Sequence, residues 1–185
     1  MRIGYFYQDN GPHTHVHLEL AKPMLESVRK VMPGVEVHQL TDRKSGVLFG
    51  VDGVHRIGGQ MPMAVRRMSH HAKLEGDWLF IDTDIVFLKD VRHVFDDQLF
   101  DLALTDRIGT SMEGSAYARA QPYNMGVTFS RCRKFWKDVR NLLKTLPPKY
   151  QEWEGDQRVV CEMAANNEKL DLGYKIGILP GRIYN

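Results

Sequence analysis

Along this chain, apolar residues repeat at two periods. The alternation between the periods predicts short strands separated by amphipathic helices. Ile3 to Tyr7 is a brief apolar run ending in Asp9, Asn10, Gly11 and Pro12, as in a first strand and its loop. Met24, Leu25, Val28, Val31 and Met32 then fall at helical spacing. Pro33-Gly34 is the stop, and Pro23 is expected to start or kink the helix. Val35 to Leu40 reads as a second strand reaching Thr41-Asp42. Val47 to Ile57 alternates around Asp52-Gly53, a hairpin signal, and Gly58-Gly59 closes it. The spacing of Ala64, Met68 and Ala72 predicts a helix over 62–74, with Arg66, Arg67 and Lys73 on its other faces. Trp78 to Ile81 is continuously apolar, the mark of a strand buried on both faces. Leu102 to Leu104 resembles it, and Val127 to Phe129 follows an irregular stretch over 108–122. Phe135, Val139, Leu142 and Leu146 predict a helix ended by Pro147-Pro148, Asp156 to Asn166 another, and Tyr174 to Leu179 a last strand.

Strands alternating with helices over one stretch of 185 residues predict a single α/β domain, three layers deep, with a mostly parallel central sheet. Ligands of such sheets sit beyond the carboxyl ends of the strands. Here those ends carry Asp9, Asp42, Asp82 to Asp84 and Asp106, acidic loops expected to converge on one edge. Composition changes the picture little. With 25 basic and 23 acidic side chains the net charge is +2, too weak a field to suggest nucleic acid. The two cysteines, Cys132 and Cys161, form no metal-type pair or disulfide framework, which suits a reducing, cytoplasmic setting. No apolar run has the length of a membrane span, and the first residues are too short for the apolar part of a signal peptide.

The chemistry centres on Asp82-Thr83-Asp84. In an extended chain, residues two apart face the same side, so both carboxylates can reach one ion. Hard oxygen ligands suit Mg²⁺ or Mn²⁺, which commonly take one or two carboxylates and fill the rest of the shell with water and substrate phosphate.

The run from Leu79 to Val86, followed by Lys89-Asp90, resembles the metal-binding segment of glycosyltransferases with the GT-A fold, above all the galactosyltransferase/glycogenin-like family (family 8 type). Three later segments resemble that family in order: Tyr123-Asn124-Met125-Gly126-Val127, Gly155-Asp156-Gln157, and Leu179-Pro180 with Tyr184-Asn185. The likeness covers the chain from about Ala64 onward. It implies a Rossmann-like nucleotide-diphospho-sugar transferase domain moving a sugar, a hexose from a UDP-linked donor as the expectation, onto a glycan, lipid or protein acceptor. Asp82 and Asp84 would ligate Mn²⁺ or Mg²⁺. Asp156, Gln157 and Asn124 would serve catalysis, and Gly126 would leave room beside them. Arg66, or failing that Arg67, would meet phosphate or sugar oxygens, and Asp106 a sugar hydroxyl. The Tyr5 to Asp9 edge would meet base and ribose.

The family's third metal ligand, a His just past the tail motif, has no counterpart, since no His follows His93. Either two carboxylates with water and substrate suffice, or the ligand lies outside these residues. Two other readings compete. A haloacid-dehalogenase-type phosphohydrolase also uses Asp-x-Asp after an apolar strand, but opens its domain with it and needs a later acidic pair. A nucleotide-sugar-binding protein without turnover is the second. The alternating His13, His15 and His17 read as a polar loop edge in preference to a zinc site, His70-His71 as incidental, and the nine methionines as core filler.

Overall fold

The structure is a computed structural model describing residues 1–9, 11, 15–97, 99–152 and 154–184, with backbone alone for 15–17 and 97. The imidazoles of His13, His15 and His17, and the whole of Asn185, therefore lie outside what is described.

Seven strands form one sheet: β1 (Arg2–Phe6), β2 (Glu36–Thr41), β3 (Gly53–Arg56), β4 (Trp78–Ile81), β5 (Leu102–Asp106), β6 (Tyr123–Ser130) and β7 (Ile176–Leu179). Their spatial order is β3-β2-β1-β4-β6-β5-β7. Every pairing is parallel except those of β6, which runs antiparallel to both β4 and β5. The expected mostly parallel sheet is thus present, with one reversed strand inside it. That reversal carries the start of β6 to the edge where the neighbouring strands end.

Helix α1 (His15–Val31) covers one face, burying Ala21, Met24, Val28 and the adjacent Met32 against Ile3, Val37 and Leu79. Pro23 lies inside this helix. On the other face α2 (Met63–His71), α5 (Arg133–Thr145) and α6 (Gly155–Ala165) pack on Trp78, Phe80 and Leu104. The continuous apolar run of β4 is buried on both faces, as its sequence predicts. Short helices α3 (His93–Asp97), α4 (Ala116–Ala120) and α7 (Gly181–Tyr184) complete the chain.

The hairpin expected over 47–57 does not form. Only residues 53–56 are a strand, and it pairs parallel with β2. Two side chains fix this segment against its neighbours instead. The Gln39 amide donates to the Gly46 carbonyl (2.6 Å) and accepts from the Leu48 amide (2.9 Å). The Asp52 carboxylate accepts from the Val37 amide (2.7 Å) and from Arg29 (2.6 Å).

Candidate active site

The carboxyl ends of β1, β2, β4 and β5 lie on one sheet edge, bringing Asp9, Asp42, Asp82 and Asp106 to it, and the reversed β6 adds Asn124. Asp82 follows the last residue of β4, and its amide donates to the Gly126 carbonyl at 3.0 Å. A Cβ on Gly126 would stand 3.1 Å from the Asp82 carboxylate and 3.2 Å from the Asn124 amide nitrogen. The Asn124 carbonyl oxygen accepts from the Gly126 amide at 3.1 Å. Asn124-Met125-Gly126 therefore makes a recess for the Asp82 carboxylate, and glycine is needed there for space.

A second group reaches Asp82 from the helices. Arg67 Nε donates to Asp156 Oδ2 at 2.5 Å, while its Nη1 lies 3.7 Å from Asp82 Oδ1. Asp156 is brought beneath Arg67 by a tight entry into α6. Glu154 takes a left-handed conformation (φ 68°), and a Cβ on Gly155 would fall 1.5 Å from the Tyr150 carbonyl oxygen. Burial opposes the charge on Arg67, but the Asp156 carboxylate, helped by Asp82, outweighs it and raises the guanidinium's pKa. Asp82 feels the opposite balance. Crowding by protein atoms, only partly offset by Arg67, combines with the Asp84 and Asp156 carboxylates to raise its pKa. Its side chain nonetheless remains 48% exposed and reachable from solvent.

These groups fit a divalent cation. Three carboxylates against one guanidinium leave a deficit of two positive charges at a solvent-reachable carboxylate whose ionised form is disfavoured without a counter-ion. Among the described residues, no group of three or more His, Cys, Asp or Glu is arranged to hold a metal, so protein ligation would rest on Asp82 and Asp84. Asp84 itself is exposed.

Other expected site residues are placed differently. Tyr5 is fully buried and donates to the Gln39 carbonyl oxygen at 2.7 Å. Burial, and secondarily Tyr7, pushes its pKa up. It is a core residue, packed in the cluster under α1 that also holds Ile3 and Val37, and its side chain is not exposed at the strand-end edge. Asp9 does stand exposed at the end of β1, its amide donating to Ser45 Oγ at 2.6 Å.

Arg66 is also buried. It donates to Asp42 (3.2 Å) and to the Gly59 carbonyl (2.7 Å), and it lines a separate cavity of about 510 Å³ with Gln8, Arg43 and Met61. The helix turns its neighbour Arg67, and not Arg66, toward Asp82. Asp156 is wholly buried, so the expected direct contact with a sugar is replaced by a grip on Arg67. The Gln157 amide donates to Tyr117 Oη (3.1 Å) and Gln121 Oε1 (2.7 Å). Asp106 Oδ1 accepts from the amides of Ile108 (3.0 Å) and Gly181 (2.8 Å), tying α7 to β5. Tyr117 and Gln121 were invisible as site neighbours in the sequence because they lie in an irregular stretch without periodicity. His70 and His71 are not incidental. His70 Nε2 donates to the Thr41 carbonyl at 2.9 Å, and His71 stacks on Phe80 at 3.7 Å.

No protein-family model matches the sequence, and no curated protein matches it. Solved structures do match. The galactosyltransferase LgtC, with donor and acceptor sugar analogs, superposes with a TM-score of 0.61 over 96% of this chain and 73% of its own, at 14% identity. The chain has the GT-A glycosyltransferase fold. GlyE, a glycosyltransferase of Streptococcus pneumoniae, matches with a TM-score of 0.56 at 16% identity, over 95% of this chain but only 44% of its own. A glycosyltransferase involved in glycosylation of the major capsid of PBCV-1 gives 0.56 at 14% identity, over 97% and 82%. Among the described residues, no helix is long and apolar enough to cross a membrane.

Proposed function

We propose that the chain is a metal-dependent glycosyltransferase that takes a sugar from a nucleoside-diphosphate donor, UDP-linked in the first instance. The observation that carries this reading is the meeting of Asp82 and Asp84 with Arg67, Asn124 and Gly126 at the strand-end edge of a GT-A sheet. Asp82 and Asp84 would hold Mn²⁺ or Mg²⁺, which supplies positive charge to the diphosphate as it departs. Arg67, locked by Asp156 but still beside Asp82, presents guanidinium N–H groups toward phosphate or donor-sugar oxygens. Gly126 keeps the floor of the recess free of a side chain, and Asn124 offers its amide to the sugar side. Asp9, exposed at the end of β1, is placed to meet the nucleoside. Gln157, fixed by its bonds to Tyr117 and Gln121, would stand with Asn124 on the donor-sugar side.

The phosphohydrolase alternative gains nothing from the fold, since Asp82 ends the fourth strand of the chain and not the first. Calorimetry with UDP in Mn²⁺ and in EDTA tests the reading. Binding is expected in Mn²⁺ alone, with hydrolysis or transfer from a UDP-sugar lost in Asp84→Asn. Equal UDP affinity in EDTA would defeat it.

A further inference from the structure

Past Asp84 the chain runs through Ile85-Val86-Phe87-Leu88, four consecutive apolar residues outside any strand or helix. Phe87 is buried, but Val86 is 54% and Leu88 85% exposed. Ile85 packs on the core beside Phe87, so the exposed Val86 and Leu88 alternate with inward-facing residues and leave an apolar strip at the surface. It borders a cavity of about 650 Å³, lined also by Asp84 and by Arg182 and Ile183 of α7, with Ile183 65% exposed. That volume suits a bound small molecule. His93 Nε2 lies 3.1 Å from the Tyr184 hydroxyl and braces α7 against the start of α3.

The polar lining is as particular as the apolar part. Lys89 and Arg182 border the cavity and make no ion pair among the described residues. The carboxylates on the same wall are already engaged. Asp90 accepts from Arg92 Nε at 2.8 and 3.0 Å, and Asp84 belongs to the pair proposed to hold the metal. What remains is an apolar surface flanked by two uncommitted cations, complementary to an amphiphile with an anionic head.

We propose that this cavity binds the acceptor, and that the acceptor is a lipid whose phosphate-type headgroup is held by Lys89 and Arg182 while its acyl chain lies on Val86, Leu88 and Ile183. The word acceptor rests on the glycosyltransferase reading; the binding of an anionic amphiphile does not. In the transfer, a headgroup hydroxyl forms the new C–O bond to the anomeric carbon. The bond from that carbon to the diphosphate oxygen breaks, with its electron pair and the hydroxyl proton passing to the nucleoside diphosphate. Asp84, which lines the cavity and would hold the metal, would bring the headgroup beside the diphosphate.

Short-chain lipids test this on the full chain. Dihexanoyl phosphatidylglycerol, titrated below its micelle concentration, is expected to bind saturably and to shift amide resonances of 85–91 and 182–184. Glycerol phosphate and dihexanoyl phosphatidylcholine are each expected to bind at least about tenfold more weakly. Lys89→Ala with Arg182→Ala should weaken phosphatidylglycerol binding about tenfold, and Leu88→Asp should remove it. Glycerol phosphate binding as well would reveal a free-phosphate site, and phosphatidylcholine binding as well a nonspecific apolar patch; either overturns the proposal. So does the absence of saturable binding, or self-association of the chain through this face in its place. A failure of UDP binding in Mn²⁺ would sink the transferase reading and leave the lipid titration unaffected, so the two failures are distinguishable.

Discussion

Asp82 and Asp156 share one arginine, yet their surroundings assign them opposite energetic roles. Asp82 is partly open, faces Asp84, and has a raised pKa, so its charge is unfavourable in the metal-free protein. Asp82→Asn should therefore leave the melting temperature unchanged or slightly higher while removing Mn²⁺-dependent UDP binding; thermal melts and calorimetry on the same variant check both halves. Asp156 is wholly buried against Arg67, and removing it leaves a guanidinium whose side chain is only 16% exposed with the longer, partly solvated contact to Asp82 in place of its close partner. Asp156→Ala should cost up to about 3 kcal/mol in urea unfolding, since breaking a buried pair leaves the remaining charge poorly compensated. An unaffected midpoint would return Asp156 to a minor role.

His70 adds a pH dependence. Burial, only partly offset by its bond to Thr41, lowers its pKa from 6.5 to about 4. The unfolded chain then binds the proton more readily than the folded one. The contribution of His70 is complete above about 6.5 and is lost as pH falls toward about 4, roughly 3 kcal/mol over that window. His70→Gln should flatten that part of the stability–pH curve, measured against the parent chain.

At the scale of elements, two glycines decide where the site residues stand. The start of α6 presses Gly155 against the Tyr150 carbonyl, where a Cβ at 1.5 Å cannot be accommodated without moving backbone. Gly155→Ala should destabilise by roughly 1–3 kcal/mol or more and, by displacing Asp156, release Arg67. Gly126→Ala is gentler. Its Cβ at 3.1 Å from the Asp82 carboxylate asks that side chain to yield by a few tenths of an ångström. The fold should survive with UDP–Mn²⁺ affinity reduced, which melting and calorimetry together would show. The failed hairpin teaches the complementary lesson. Alternation around Asp52-Gly53 matched the period of paired strands, but 53–56 pairs with β2, while the Gln39 side chain takes the Gly46 carbonyl and Leu48 amide and Asp52 ties the turn to Val37 of β2. Side-chain competition of this kind leaves no trace in hydrophobic periodicity.

For the molecule as a whole, a site with two protein carboxylates should bind Mn²⁺ weakly by itself. UDP and Mn²⁺ should then strengthen each other's binding by the same factor, as linkage requires. Titrating Mn²⁺ into the free and the UDP-saturated chain measures that factor; tight Mn²⁺ binding without nucleotide would mean a further protein ligand. The α/β layering, most strands, the acidic strand ends and the pairing of Asp82 with Asp84 were legible in the sequence, because each depends on neighbours a few residues apart. Periodicity reports which face of an element is apolar, and a buried strand breaking into Asp-x-Asp is a local pattern. Tertiary structure alone decided that β6 runs backward and so delivers Asn124 and Gly126 to Asp82. It also decided that Arg67 and not Arg66 faces the site, and that Tyr5 and Asp156 are sealed from solvent. These outcomes depend on helix rotation and on contacts such as Arg67 with Asp156, which join residues 89 positions apart. Local pattern carries no information about such pairs, because packing across the sheet chooses them.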